Sequence, residues 1–447
     1  MRVRVMVPPS IQEVPALPVG PGGLDIYFSS LPDISSVFAV RLYGQGHPAG
    51  AGQTRLKRPL FYGMQENLTP HSGREECRAG RAGVRRSTKI NSMLLEGIFA
   101  PITTPFYSDE RIYFKKLEFN VSRLSLTALA GLVVLGSTGE AVALDDAETR
   151  EVLRVAAQSA DQEKVLIAGT GRESVKATVD LAEAAAGFGY DAVLVRNPCY
   201  YRPQLTPAAV LHYFRTVADR SPLPVILYSI PKFTQAEIPL EVVAELAQHA
   251  NIIGLKESSG SVERVREVVQ ATRLAPRRTV TVTPIFEAVT GRMMSAKPAA
   301  AGNFISAEGL ASGAGGGVAL AVAPPVPGRK TRTREVGFQV LTGSASNLKE
   351  SLDAGASGAI LAFAACAPQA CQEIYTAWKE HDDRLAIDKQ QRIAEAGNLV
   401  AGKLGIAGIK YACDFNGYFG GRPRAPLLPL TSEVKAEVER LLAQIRN

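Results

Sequence analysis

Lys256 closes the buried-looking run IIGLK in IIGLKESSG, and its position is the first in the chain to suggest chemistry. An ammonium partly withdrawn from water loses proton affinity, and the free amine attacks a carbonyl to give an imine. One apolar run earlier, LYSIP ends on Tyr228, a hydroxyl of the kind that moves protons to and from a carbinolamine. Further upstream, GSTGE offers the backbone N–H groups and hydroxyls of Gly136, Ser137, Thr138 and Gly139 to a carboxylate ahead of a helix. Each feature also has an ordinary reading: a solvated strand-end lysine, a core tyrosine with a satisfied hydroxyl, a plain turn.

The elements that must position these groups alternate. From Leu94 onward, eight short β-branched runs are separated by helical patterns: 98–105, 131–136, 165–169, 192–196, 224–230, 252–256, 338–343 and 358–363. Such alternation predicts parallel βα units, and eight of them close into an α/β (β/α)8 TIM barrel. Lys256, Tyr228 and GSTGE then all fall at the C-terminal ends of strands, the face that carries catalysis in this architecture. Asp145 is the expected N-cap of a helix over 146–159, and 174–186 shows helical periodicity. Segments 368–403 and 432–446 read as the last barrel helix and a C-terminal helical extension.

Two stretches break the pattern. Residues 1–92 are rich in Pro, Gly and Arg and carry twelve Lys/Arg against six Asp/Glu. They read as a disordered or non-native N-terminal extension ahead of a barrel domain over 93–447. Residues 275–336 carry eight Lys/Arg against three Asp/Glu and are Gly/Ala/Pro-rich. They read as a foreign or disordered insertion, an appended loop or an intron read as protein, since excision joins QATR to FQVLTG through a turn of ordinary length. These two segments account for the net charge of +7, so the rest of the body is mildly acidic and nucleic-acid binding is not expected. No apolar run approaches a membrane span, and no membrane partner is expected. The five cysteines are scattered without a C-x-x-C pair, which predicts free thiols and no metal site. The compartment stays open between cytoplasm and mitochondrion, the six acidic residues of 1–92 making a poor transit peptide.

Taken together, GSTGE, PCYYRP, YSIP-x-x-T and GLKES, in that order and one βα unit per step, resemble the dihydrodipicolinate synthase and N-acetylneuraminate lyase family over about 94–274 and 337–430. The resemblance implies a class I pyruvate-dependent aldolase, with no metal or organic cofactor. It implies Lys256 as the Schiff-base lysine, Tyr228 as general acid/base, and Ser137 and Thr138 as the carboxylate site, with Ser137 also in the proton relay. Tyr200 matches a tyrosine lent across a tight dimer, Ile360 matches a residue beside the pyruvyl carbon, and a homotetramer is implied. Synthases of aspartate semialdehyde carry an arginine two positions after the proline of Tyr-x-x-Pro; Phe233 stands there and cannot make that contact. PCYYR, YSIPKFT and GYFGG followed by RAPL look more like 4-hydroxy-2-oxoglutarate aldolase, with pyruvate and glyoxylate as products. Arg196 could supply a cation for the distal carboxylate, or pair with a nearby acid. The competing expectations are a tetrahydrodipicolinate synthase, a sugar-acid aldolase, and a silent barrel that binds a 2-oxo acid without turnover.

Overall fold

The computed structural model describes residues 24–31, 34–42, 92–294 and 330–445. The chain divides into two compact units, 1–84 and 85–447. In the first unit, β1 (Leu24–Leu31) and β2 (Ile34–Leu42) pair antiparallel. The expectation that 1–92 lacks regular structure is therefore corrected for these strands, whose Ile, Val, Tyr and Phe are strand formers that the surrounding Pro and Gly obscured. The rest of 1–91 lies outside the described residues.

The second unit is built on a closed barrel of parallel strands. These are β3 (Gly97–Pro101), β4 (Gly131–Val134), β5 (Val165–Gly169), β6 (Ala192–Arg196), β7 (Val225–Ser229), β8 (Ile252–Glu257), β11 (Gln339–Thr342) and β12 (Gly358–Ile360). The ring closes where β11 pairs with β8, Leu341 opposite Lys256. The eight expected runs coincide with these strands. Several overran the C-terminal end, as at 102–105 and 361–363, because the chain there has left the sheet to form the loops of the catalytic face. Inside the barrel, Phe99, Ile167, Leu194, Ile226 and Leu341 fill the axis; between strands and helices lies a larger apolar layer that includes Leu117, Leu153, Phe214 and Val268. Asp145 caps the helix Asp146–Ser159 through a reciprocal capping box with Glu148, and Ser174 caps Val175–Gly187.

The segment 275–336 is not structureless where it is described. β9 (Arg278–Val282) and β10 (Arg332–Val336) form an antiparallel hairpin, Arg278 opposite Val336. Val280, Val282 and Val336 pack on Leu94, and Met293 enters the interior cluster with Met93, Leu95 and Val165. Arg278 donates to the carbonyls of His249 (2.9 Å) and Ile252 (2.8 Å) at the start of β8. Arg292 donates to the carbonyls of Asp161 and Lys164 just before β5 and faces Asp191 at 3.7 Å. The hairpin thus covers the N-terminal end of the barrel. Composition averaged over the segment concealed the alternation in RTVTV and RTREV; residues 295–329 lie outside the described residues.

At the other end of the chain, Pro368–Lys379 and Asp383–Gly397 run as expected and continue through a π-helical turn, Asn398–Lys403. A helix over Gly405–Phe415 follows that the periodicity did not predict, since Gly405 and Gly408 depress helix propensity. Ser432–Leu442 ends the helical extension. Among the described residues, no helix is long and apolar enough to cross a membrane.

Candidate active site

Parallel pairing in register places Arg196, Tyr228 and Lys256 side by side at the C-terminal ends of β6, β7 and β8. Lys256 is 6% exposed and Tyr228 4% exposed. The Lys256 ammonium lies 4.2 Å from the centroid of the Tyr228 ring, and the Tyr228 hydroxyl lies 3.3 Å from Ser137 Oγ. The lysine side chain is therefore held against an aromatic face while the phenol at the far edge of that ring meets a second hydroxyl. Amine, phenol and serine line one cavity of about 500 Å³ together with Thr138, Phe233 and Ile406. The cavity is large enough for a small organic molecule and presents the Lys256 amine and the Ser137 and Thr138 hydroxyls on its wall.

The turn that presents Ser137 and Thr138 is conformationally costly. Ser137–Gly139 form one 3-10 turn flanked by two non-glycine residues with left-handed backbones, Leu135 at φ 61° and Glu140 at φ 54°. Each costs on the order of 1–3 kcal/mol and persists only if its surroundings enforce it. At Leu135 the enforcement is steric: a Cβ on Gly169 of β5 would meet the Leu135 carbonyl oxygen at 2.0 Å, so only glycine allows that approach. At Glu140 it is electrostatic. Its carboxylate, buried with the site, lies 2.5 Å from the ammonium of the fully buried Lys410, and Arg424 N–H donates to it at 2.8 Å. Burial pushes the Lys410 ammonium below its ordinary value, against the pull of Glu140 in the other direction. Glu140 and Lys410 were not among the expected site residues. Glu140 was visible as the last letter of GSTGE, and Lys410 as a lone cation in the apolar run GIAGIKYAC.

The remaining expected residues separate. Arg196 is committed to protein: its guanidinium pairs with Glu173 at 2.8 Å and donates to the Asn197 carbonyl at 3.0 Å. Burial alone would raise the Glu173 carboxyl, but N–H donation from Tyr200 and Cys199 and the contact with Arg196 hold it below its ordinary value. Of the two readings of Arg196, pairing with an acid is the one observed. Its edge still lines a second cavity of about 570 Å³, which shares Ser137, Tyr228, Ile230, Phe233 and Ile406 with the first. Tyr200 is 78% exposed, stacks edge-on with Tyr201 and does not line the Lys256 cavity within one chain. Ile360 is fully buried in the interior cluster with Tyr228; on that side the cavity wall is Ala362. Lys232, Ile406 and Ile409 line the cavity and were also not expected. Among the described residues, no group of three or more His, Cys, Asp or Glu could hold a metal ion. Cys199, Cys366, Cys371 and Cys413 are free thiols, and Cys77 lies outside the described residues.

The model of the dihydrodipicolinate synthetase family matches residues 94–277 and 329–445, leaving out 278–328, which hold β9 but not β10. A 4-hydroxy-tetrahydrodipicolinate synthase of Natronomonas pharaonis is 38% identical over 177 residues, which are 40% of this chain and 59% of that protein. The chain thus spans about three fifths of the length of that relative. An L-threo-3-deoxy-hexylosonate aldolase of Hypocrea jecorina is 29% identical over 350 residues, 77% of this chain and 93% of that protein. Among solved structures, YagE, a prophage protein of the dihydrodipicolinic acid synthase family from E. coli K12 in complex with pyruvate, superposes with a TM-score of 0.61 at 25% identity, covering 79% of this chain and 99% of that one.

Proposed function

We propose class I aldolase chemistry for this chain, which belongs to the dihydrodipicolinate synthetase family. Family membership makes it a lyase of the pyruvate-dependent aldolase type; the substrate we propose is 4-hydroxy-2-oxoglutarate, cleaved to pyruvate and glyoxylate. The observation that carries the reading is the set of buried Lys256 and Tyr228 with half-buried Ser137, with contacts of 4.2 and 3.3 Å, in one cavity. Lys256 condenses with the C2 carbonyl and expels water. Its protonated imine accepts the electron pair as the C3–C4 bond breaks, while Tyr228 takes the C4 hydroxyl proton, directly or through Ser137. Glyoxylate leaves behind an enamine, which takes the proton back at C3 from Tyr228, and hydrolysis of the imine so formed releases pyruvate. Ser137 and Thr138 hold the substrate carboxylate. The amine does the work for which other lyases recruit a metal or organic cofactor, and none is invoked. Tyr200, exposed within one chain, is assigned to the site of a second copy in a homotetramer, with sedimentation as the check.

Phe233, half exposed at the cavity, stands where synthases of aspartate semialdehyde carry an arginine, so the bidentate contact on which those synthases rely is absent. With Arg196 held by Glu173, the distal carboxylate has no unshared cation from that residue, and this favours a second reading, a sugar-acid aldolase with a neutral hydroxylated tail. The alignment with the Hypocrea enzyme, over 93% of that protein, supports it. Purified protein is to be assayed with 4-hydroxy-2-oxoglutarate, with L-threo-3-deoxy-hexylosonate, and with pyruvate plus aspartate semialdehyde. Dominant glyoxylate release is the expected result. Dominant turnover of either other substrate reassigns the specificity, and no turnover with any of them points to a silent 2-oxo-acid-binding barrel.

A further inference from the structure

The helix Gly405–Phe415 has two attachments to the catalytic face. Ile406 and Ile409 form part of the wall of the Lys256 cavity, and Lys410, the next residue, turns its ammonium beneath GSTGE. Lys410 is fully buried, yet its charge is surrounded by acceptors: Glu140 Oε1 at 2.5 Å, the Arg422 carbonyl at 2.8 Å and the face of Phe106 at 4.4 Å. The approach to Glu140 does not have hydrogen-bond angles, so the contact is chiefly charge on charge. Glu140 Oε2 accepts from Arg424 N–H at 2.8 Å. The close passage of the 416–424 loop depends on Gly420, where a Cβ would meet the Lys410 carbonyl oxygen at 1.7 Å. One carboxylate thereby ties three pieces of chain together, two residues from Thr138 and three from Ser137. It also sits on the residue whose left-handed backbone ends the Ser137–Gly139 turn.

We propose that the buried Glu140–Lys410 pair is a positioning device that sets the Ser137 and Thr138 hydroxyls at the carboxylate end of the cavity, and so governs affinity for the 2-oxo acid rather than the reactivity of Lys256. A buried ion pair stabilises a fold weakly, because desolvation of both charges offsets their attraction, and an apolar pair of equal volume would serve packing as well. What the charges supply is one fixed geometry for a backbone that would otherwise relax from φ 54°. The proposal rests on the reading of Lys256 as the imine-forming amine.

The test is borohydride trapping of pyruvate on the full chain, titrated in pyruvate, for wild type and for Glu140→Gln/Lys410→Met, which removes both charges together. Trapping of wild type on the Lys256 peptide checks the underlying reading, and its absence overturns that reading, whatever the variant does. If the pair positions the turn, the double variant reaches the same labelling at saturating pyruvate, but its half-saturating concentration rises about tenfold or more. A pair that is merely structural lowers the maximum through loss of folded protein and leaves half-saturation where it was; that result overturns the proposal. Should the double variant fail to fold by circular dichroism, Glu140→Gln alone, which keeps one carbonyl acceptor for Arg424 N–H and removes the charge that faces Lys410, is read in the same titration. Unchanged half-saturation, or failure of this variant to fold as well, assigns the pair to stability alone and overturns the proposal.

Discussion

The two ends of the barrel both hold cations among strand termini and treat them oppositely. At the N-terminal end, Arg278 and Arg292 are occupied by carbonyl oxygens of the segments that enter β8 and β5, and Arg292 also faces Asp191. At the C-terminal end, Lys256 rests on a ring face 4.2 Å away, a contact that keeps the amine accessible to an electrophile. A cation filled with protein acceptors holds structure; one left against a ring is available to chemistry. Arg196 and Arg424 show that location alone does not decide the matter. Both stand on the same face as Lys256, and they are paired with Glu173 and Glu148 respectively.

The comparison breaks most visibly at Lys256. Lys256→Ala should abolish turnover and borohydride trapping while leaving thermal unfolding close to wild type; trapping that persists on another lysine would misplace the chemistry. Tyr228→Phe should slow turnover roughly 10²-fold with the imine still forming, as expected when a positioned proton donor is removed. A rate near wild type would transfer that role elsewhere. At the opposite end the signs reverse. Met293→Ala, which empties a buried position between the inserted hairpin and the interior cluster, should cost roughly 2–5 kcal/mol in denaturant unfolding with KM and kcat per folded molecule unchanged. No stability loss would show that the hairpin does not dock.

The smallest effect concerns the Arg424 guanidinium, paired with Glu148. Hydrogen bonds from Arg424 hold the Glu148 carboxyl below its ordinary value of 4.5. A group whose pKa is depressed on folding contributes stability that is fully present above the unfolded value and disappears as pH falls through the depressed one. The difference in unfolding free energy between wild type and Glu148→Gln should therefore be about 1 kcal/mol near neutrality and should shrink below pH 4.5, with turnover little altered. A gap independent of pH would mean that the charge contributes nothing.

How legible this was from sequence depended on the range of the interaction. The strands Val165–Gly169 and Ala192–Arg196 were read to the residue because a parallel barrel strand is a continuous apolar run that punctuates itself. Lys256, Tyr228 and Ser137 were legible because strand ends on one face of a barrel converge whatever the loops do. Lys410 was not, since its meaning depends on Glu140, 270 positions earlier in the chain, and its helix begins with glycine. Arg196 stayed double-valued for the same reason: nothing local reveals that Glu173, already held by two backbone N–H groups, is its partner. The hairpin of 278–282 and 332–336 was lost to averaging, for its two strands are short beside the Gly- and Ala-rich stretch that separates them.

That hairpin bears on how the ring can close. β8 carries Lys256 and must pair with β11, yet the chain makes its longest detour between them, and the entropy cost of joining two ends grows with the logarithm of the intervening length. Pairing Arg278 with Val336 shortens the detour from within: once it has formed, Gln339 is delivered three residues past a fixed point, and only the short stretch from Thr272 to Arg278 separates that point from the helix after β8. The last seam of the barrel, Lys256 against Leu341, is then a local event in a chain where sequence distance alone would make it a remote one.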